Sequence, residues 1–117
     1  MNEVRVGLIR GRHEMPVEEY IFDGPIEDVH DYAHISDIIV DFLANRVGIG
    51  HKIGVGFDQD SYDEVPLLCG KANLVVYVTG LTPVTAELVF ACIRNGVKLT
   101  LMNYDSGTGN YVPQPMF

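Results

Sequence analysis

Two short stretches carry the residue types that could do chemistry. The first is Arg10-Gly11-Arg12-His13, which gathers two guanidinium groups and an imidazole. Guanidinium groups grip phosphate through paired, charge-assisted hydrogen bonds, and a histidine donates or moves a proton near neutral pH. The second is Val78-Thr79-Gly80-Leu81-Thr82-Pro83. Its glycine lets backbone approach a ligand, and Thr82-Pro83 reads as a helix cap followed by a first helical residue. The open amides of such a first turn, with the hydroxyls of Thr79 and Thr82, would form an anion site. Attraction to a helix end is worth only about 0.3–1 kcal/mol when exposed and about 2 when partly buried. A micromolar ligand needs about 8 kcal/mol. The turn is therefore too weak alone, and the two stretches must converge to make a site.

The elements that would position them follow from pattern. "EVRVGLI" (3–9) is a β-branched run that reads as the first strand, so Arg10, Arg12 and His13 leave from its carboxyl end. "ANLVVYVTG" reads as a buried strand, "TPVTAELVFACIRNG" as a helix and "VKLTLMNYD" as a strand. That is a βαβ unit with parallel strands. Open α/β sheets bind ligands at the carboxyl ends of their strands, which is where residues 79–83 lie. Asn103 and Tyr104 close the last strand of the unit beside them. There Tyr104 could stack on a base and Asn103 read its edge.

Elsewhere, "VEEYIF" (17–22) suits a short edge strand, and Asp23-Gly24-Pro25 a turn. Apolar spacing predicts a helix from Pro25 to about Arg46, with a break near Ala33 where Ser36 could cap a second segment. "HKIGVGFD" (51–58) alternates like a strand weakened by Gly54 and Gly56, and "QDSYDEVPLLCGK" reads as a loop. "SGTG" is a turn, and two prolines place "NYVPQPMF" at an edge. The expectation is a single three-layer Rossmann-like α/β domain over residues 1–117. Its sheet is mainly parallel, with an antiparallel edge strand or tail.

Composition narrows the function. With 117 residues, 47% of them hydrophobic, the chain can bury a real core. A net charge of −8, from 8 basic and 16 acidic residues, argues against binding long nucleic acid. Any nucleotide partner would be small and held locally. No apolar run nears the ~20 residues of a membrane span, and the amino-terminal residues do not read as a signal peptide. Cys69 and Cys92 lack CxxC or metal spacing and suit a structural role in a reducing cytoplasm.

The strand-turn-helix string from Val78 to Pro83 resembles the strand-TGGT-helix signature of CARF domains, the sensors of cyclic oligoadenylate. It also resembles small CRISPR-associated ring-nuclease-like proteins, including phage-borne relatives, that pair an early "RH" loop with a later strand-turn-Pro-helix. Here those positions are Arg12-His13 and Thr82-Pro83. Leu81 stands where the signature has its second glycine, and no lysine follows Thr82. The resemblance implies a cyclic or short nucleotide ligand, bound across a homodimer or higher oligomer and linked to antiviral defence. Cleavage would need no metal or cofactor. A ribose 2′-hydroxyl would attack the adjacent phosphate, with His13 as acid or base and Arg12 stabilising the charged transition state.

Other readings compete. A plain capped turn explains residues 79–83 without any ligand. A non-catalytic oligomeric phage or mobile-element protein could sequester a nucleotide signal, or bind a host protein through an apolar patch displaying Tyr20, Phe22 and Phe117. "TPVTAELVF" more faintly resembles the helix start of nucleoside deoxyribosyltransferases, which would make Glu87 the nucleophile. His30 and His34 stand four apart on the expected helix, but no third ligand is evident and no metal is assigned.

Overall fold

The computed structural model describes residues 2–11, 14–47 and 72–116. The strand expected at 51–58 and the loop after it, with Cys69, lie outside the described residues.

Alternating β-branched and aliphatic side chains make β1 (Asn2–Ile9), β3 (Ala72–Tyr77) and β4 (Lys98–Asp105), the core of the sheet. The short β2 (Tyr20–Phe22) and β5 (Asn110–Pro115) form its edges, in the order β2-β1-β3-β4-β5. β1 pairs parallel with both β2 and β3, β3 pairs parallel with β4, and only β4–β5 is antiparallel. This is the expected α/β Rossmann-like sheet with an antiparallel edge.

The register lays Val4, Leu74 and Leu99 side by side, then Val6, Val76 and Leu101. Both helices cover that face. α1 (Tyr32–Phe42) contributes Ile35 and Ile39, and α2 (Thr82–Arg94) contributes Val84, Leu88, Ala91 and Cys92. All join one core with the strand residues. Of the three layers expected, the described residues supply two, the helices and the sheet. The opposite face carries a smaller cluster of Met15, Val75 and Tyr77, flanked by Val17, Tyr20, Met102 and Tyr111. The link from β1 to β2 therefore crosses that second face through Met15 and Val17.

α1 begins later than the apolar spacing predicts. Pro25 is not its first residue; the helix starts at Tyr32, where the Asp31 carboxylate accepts a hydrogen bond from the His34 amide at 3.2 Å. A capping carboxylate satisfies an amide that the helix itself leaves open, and that decides the start. His30 thus precedes the helix, with its ring nitrogen 3.1 Å from the Tyr32 hydroxyl, and does not share a helical face with His34. A π-helical turn (Leu43–Val47) ends the segment. Arg46 grips Glu19 there through two hydrogen bonds, at 2.5 and 2.7 Å, which lowers the carboxyl pKa of Glu19.

β5 is an edge for a stateable reason. The Met116 amide donates to the Leu99 carbonyl at 2.8 Å. With Met102 opposite Pro113 and Thr100 opposite Pro115, both prolines fall where the strand's amides point away from β4. Neither needs the donor it lacks, and the open edge offers few donors to another strand.

Candidate functional site

The site begins with a mismatch of strand lengths. β3 stops at Tyr77, opposite Met102, while β4 runs on to Asp105 and turns back into β5. The projecting hairpin leaves a notch beside the end of β3. Asp105 holds the hairpin turn, accepting from the Gly107 amide at 3.0 Å and the Thr108 hydroxyl at 3.1 Å.

The notch has a volume of about 520 Å³. Its floor is Val78, Thr79 and Gly80, one wall is Thr82, Thr85 and Ala86 of α2, and the other is Asn103 and Tyr104. Gly80 takes a φ of 91°, a left-handed conformation that glycine tolerates best. A side chain there would meet nothing, so the floor is bare. No charged side chain lines the notch among the described residues.

Several polar groups around it have no protein partner among the described residues. The Thr79 hydroxyl oxygen is buried and has no hydrogen-bond partner. α2 begins with Leu81 as its cap residue and no side-chain cap bond. Its first internal bond runs from the Thr85 amide to the Leu81 carbonyl at 3.0 Å. The Thr82 and Val84 amides have no acceptor among the described residues, and Pro83 has no amide to satisfy. Thr82 was expected at the cap; it is instead the first helical residue, because half-buried Leu81 is drawn onto the core one position earlier.

Of the residues expected there, Thr79, Gly80, Thr82, Asn103 and Tyr104 line the notch, and Leu81 and Pro83 do not. Asn103 donates its side-chain amide to Gln114 at 2.8 Å, which ties its orientation to β5. By strand alternation, Tyr104 points to the opposite face. Its ring packs edge-on against Tyr111 with centroids 5.4 Å apart, and Tyr111 packs against Tyr77 at 4.8 Å. Burial, then the neighbouring tyrosines, push the Tyr111 hydroxyl pKa up. Tyr104 is 54% exposed, and its ring stands with Tyr111 on the face of the sheet away from α2.

Arg10 does not join them. Its guanidinium donates to Asp23 at 2.8 Å and to the Glu18 carbonyl at 3.2 Å, and lies 4.6 Å over the Tyr20 ring. Those partners sit beside β2 and pull the arginine toward the sheet's other edge. With Leu81 it lines a separate cleft. Arg12 and His13, the catalytic candidates, lie outside the described residues. Glu87 is on α2 but does not line the notch. Phe22 is buried and Tyr20 half-buried, so neither displays the apolar patch of the interaction-protein reading; Phe117 lies outside the described residues.

Sequence reasoning missed Thr85 and Ala86 as lining residues. The signal was present, since they stand three and four positions after Thr82 and so share its helical face. Among the described residues, no group of three or more His, Cys, Asp or Glu is placed to hold a metal ion, and no helix is long and apolar enough to cross a membrane. Comparison with family models, curated proteins and solved structures gives no match.

Proposed function

We propose that the notch binds a small nucleotide through a phosphodiester, a cyclic or short oligonucleotide of the second-messenger type. The carrying observation is the set of donors left open around one bare floor: the Thr79 hydroxyl and the amides of Thr82 and Val84. A cleft of about 520 Å³ falls in the range of small-ligand sites. Its lining also speaks to charge. Neutral hydroxyls and amides suit a phosphodiester with one negative charge, whereas a doubly charged phosphomonoester would want a cation that the described lining lacks.

The resemblance of residues 78–83 to the cyclic-oligoadenylate sensors supports the same reading. Cleavage by 2′-hydroxyl attack would draw on Arg12 and His13. A sequestering protein would need only the donors.

The test is thermal unfolding with cyclic di-, tri- and tetranucleotides and with 5′-AMP as the doubly charged control, followed by product chromatography on any hit. A ligand at a hundred times its dissociation constant adds about 2.7 kcal/mol of stability. The expected result is a shift with a phosphodiester, a smaller one with 5′-AMP, and a reduction of both in Thr79→Val, which removes the unpaired hydroxyl. A panel without any shift would reduce residues 79–83 to a turn that merely starts a helix.

A further inference from the structure

A second cleft lies on the far side of the same turn. It measures about 510 Å³ and is lined by Ile9, Pro25, Ile26, Val29 and Leu81, with the Arg10–Asp23 pair at its rim. Leu81 belongs to this cleft and Gly80 to the notch. Residues 80–81 are thus a ridge between two hollows at the carboxyl end of the sheet. The ridge is low, because Gly80 is exposed and the space where its side chain would stand is empty.

The position of this pair of hollows follows from topology. In the order β2-β1-β3-β4-β5, the chain runs from β1 outward to β2 and then returns across β1 to β3. Sheets of this kind open a crevice where the winding reverses, here between β1 and β3. The second cleft sits on one side of that point and the notch on the other. Strands are about 4.8 Å apart, so two hollows separated by roughly two strand spacings lie about 10 Å apart. That is the reach of two nucleosides joined through one phosphate.

Resting on the phosphodiester reading of the notch, we infer that the ligand has two nucleoside units, and that the second cleft holds the base of the second. The two linings differ in kind. The notch offers hydroxyls and amides to a sugar and phosphate, whereas the second cleft offers aliphatic walls to a flat ring. Arg10 stands at its rim, held by Asp23, the Glu18 carbonyl and the Tyr20 ring, and its pair with Asp23 is the contact a ligand phosphate would replace. The pair is largely exposed, with side-chain accessibilities of 50% and 85%, and exposed pairs contribute only about 0–1 kcal/mol. A phosphodiester crossing the ridge draws Arg10 from Asp23.

Two probes isolate the second unit, since both carry one singly charged phosphodiester. Adenosine 3′,5′-cyclic monophosphate has one nucleoside, and the linear dinucleotide ApA has two. By calorimetric titration, ApA binds at least tenfold tighter to the unaltered protein. Val29→Trp fills the second cleft and brings ApA down to the affinity of the cyclic mononucleotide, whose own affinity does not change. Arg10→Ala, a surface change, removes the cation at the rim and weakens ApA about threefold while leaving the cyclic mononucleotide unchanged. Equal affinities for the two probes overturn the second subsite while leaving the notch reading intact. So does an equal loss of both probes in a folded Val29→Trp protein, or an unchanged ApA affinity in Arg10→Ala. Failure of both probes to bind overturns the notch reading itself, and this inference with it.

Discussion

The two ends of α2 are finished differently. At the carboxyl end the open carbonyls of Ala91, Cys92 and Ile93 all find partners. Gly96 turns to a φ of 67°, its amide bonds the Ile93 carbonyl at 3.4 Å, and the Val97 amide bonds the Cys92 carbonyl at 2.9 Å. This is a Schellman closure. Asn95 adds a side-chain bond to the Ala91 carbonyl at 2.7 Å. At the amino end of the same 13-residue helix, the cap residue is a leucine and a threonine hydroxyl is buried alone. An aspartate or serine at position 81 would have served the helix better, with about 1 kcal/mol at stake. One end is closed by the protein's own groups. The other leaves hydrogen-bonding groups without protein partners, and the ligand reading proposed above rests on that difference.

The largest test sets the scale between the ends. Leu88 is fully buried midway along α2, and Leu88→Ala should lower unfolding stability by about 2–5 kcal/mol, measured by denaturant titration. A loss below 1 kcal/mol would mean that the helix does not bear on the sheet as described, and neither end could then be compared.

Next comes the finished end. Gly96→Ala forces a side chain into a left-handed conformation and should cost about 1–2 kcal/mol. No measurable change would show that the Schellman closure is not holding that end. Cys92 reports on the same place without mutation. Burial raises its thiol pKa from 9.0 to about 12, so the neutral thiol persists in the folded state where the unfolded one would ionise. The folded state then holds more protons across that window, and this contribution to stability is present below pH 9 and lost as pH rises toward 12. Peptide mapping should find Cys92 unalkylated by iodoacetamide at pH 8 in the native protein and alkylated in denaturant. Rapid native alkylation would mean that this end opens as readily as the other.

The same contrast explains what could be read in advance. The βαβ unit from β3 to β4, the hairpin turn and the proline-marked edge are written locally, in apolar periods, glycines and prolines, and the structure has them all. The meeting of Thr79, Thr82, Asn103 and Tyr104 followed, because parallel strands bring their carboxyl ends to one side. What local pattern does not contain is competition among partners. Arg10 was expected to close the Thr79–Pro83 turn, but Asp23, Glu18 and Tyr20 lie nearer on β2 and its flanks. The start of α1 depended on Asp31 rather than on Pro25. The cap of α2 went to Leu81 because the core claims an aliphatic side chain more strongly than a threonine holds its place. The notch itself arises from unequal strand lengths, a relation between segments that no single stretch reveals.

The smallest expected change cuts deepest into the comparison. Thr79→Val keeps the shape of the side chain and removes the buried hydroxyl. A polar atom left unpaired inside a protein costs about 1–3 kcal/mol, and a valine in its place does not carry that cost. The substitution should therefore raise unfolding stability by about 1 kcal/mol while weakening nucleotide binding at least tenfold. Most core substitutions lower stability, so an increase here would be unusual and specific. If the variant is instead less stable and binds as well as before, the hydroxyl is satisfied within the protein, and the amino end of α2 is no more open than its partner. A gain in stability joined to a loss of binding would show that the chain gives up folding free energy at this position to keep a donor free for the ligand.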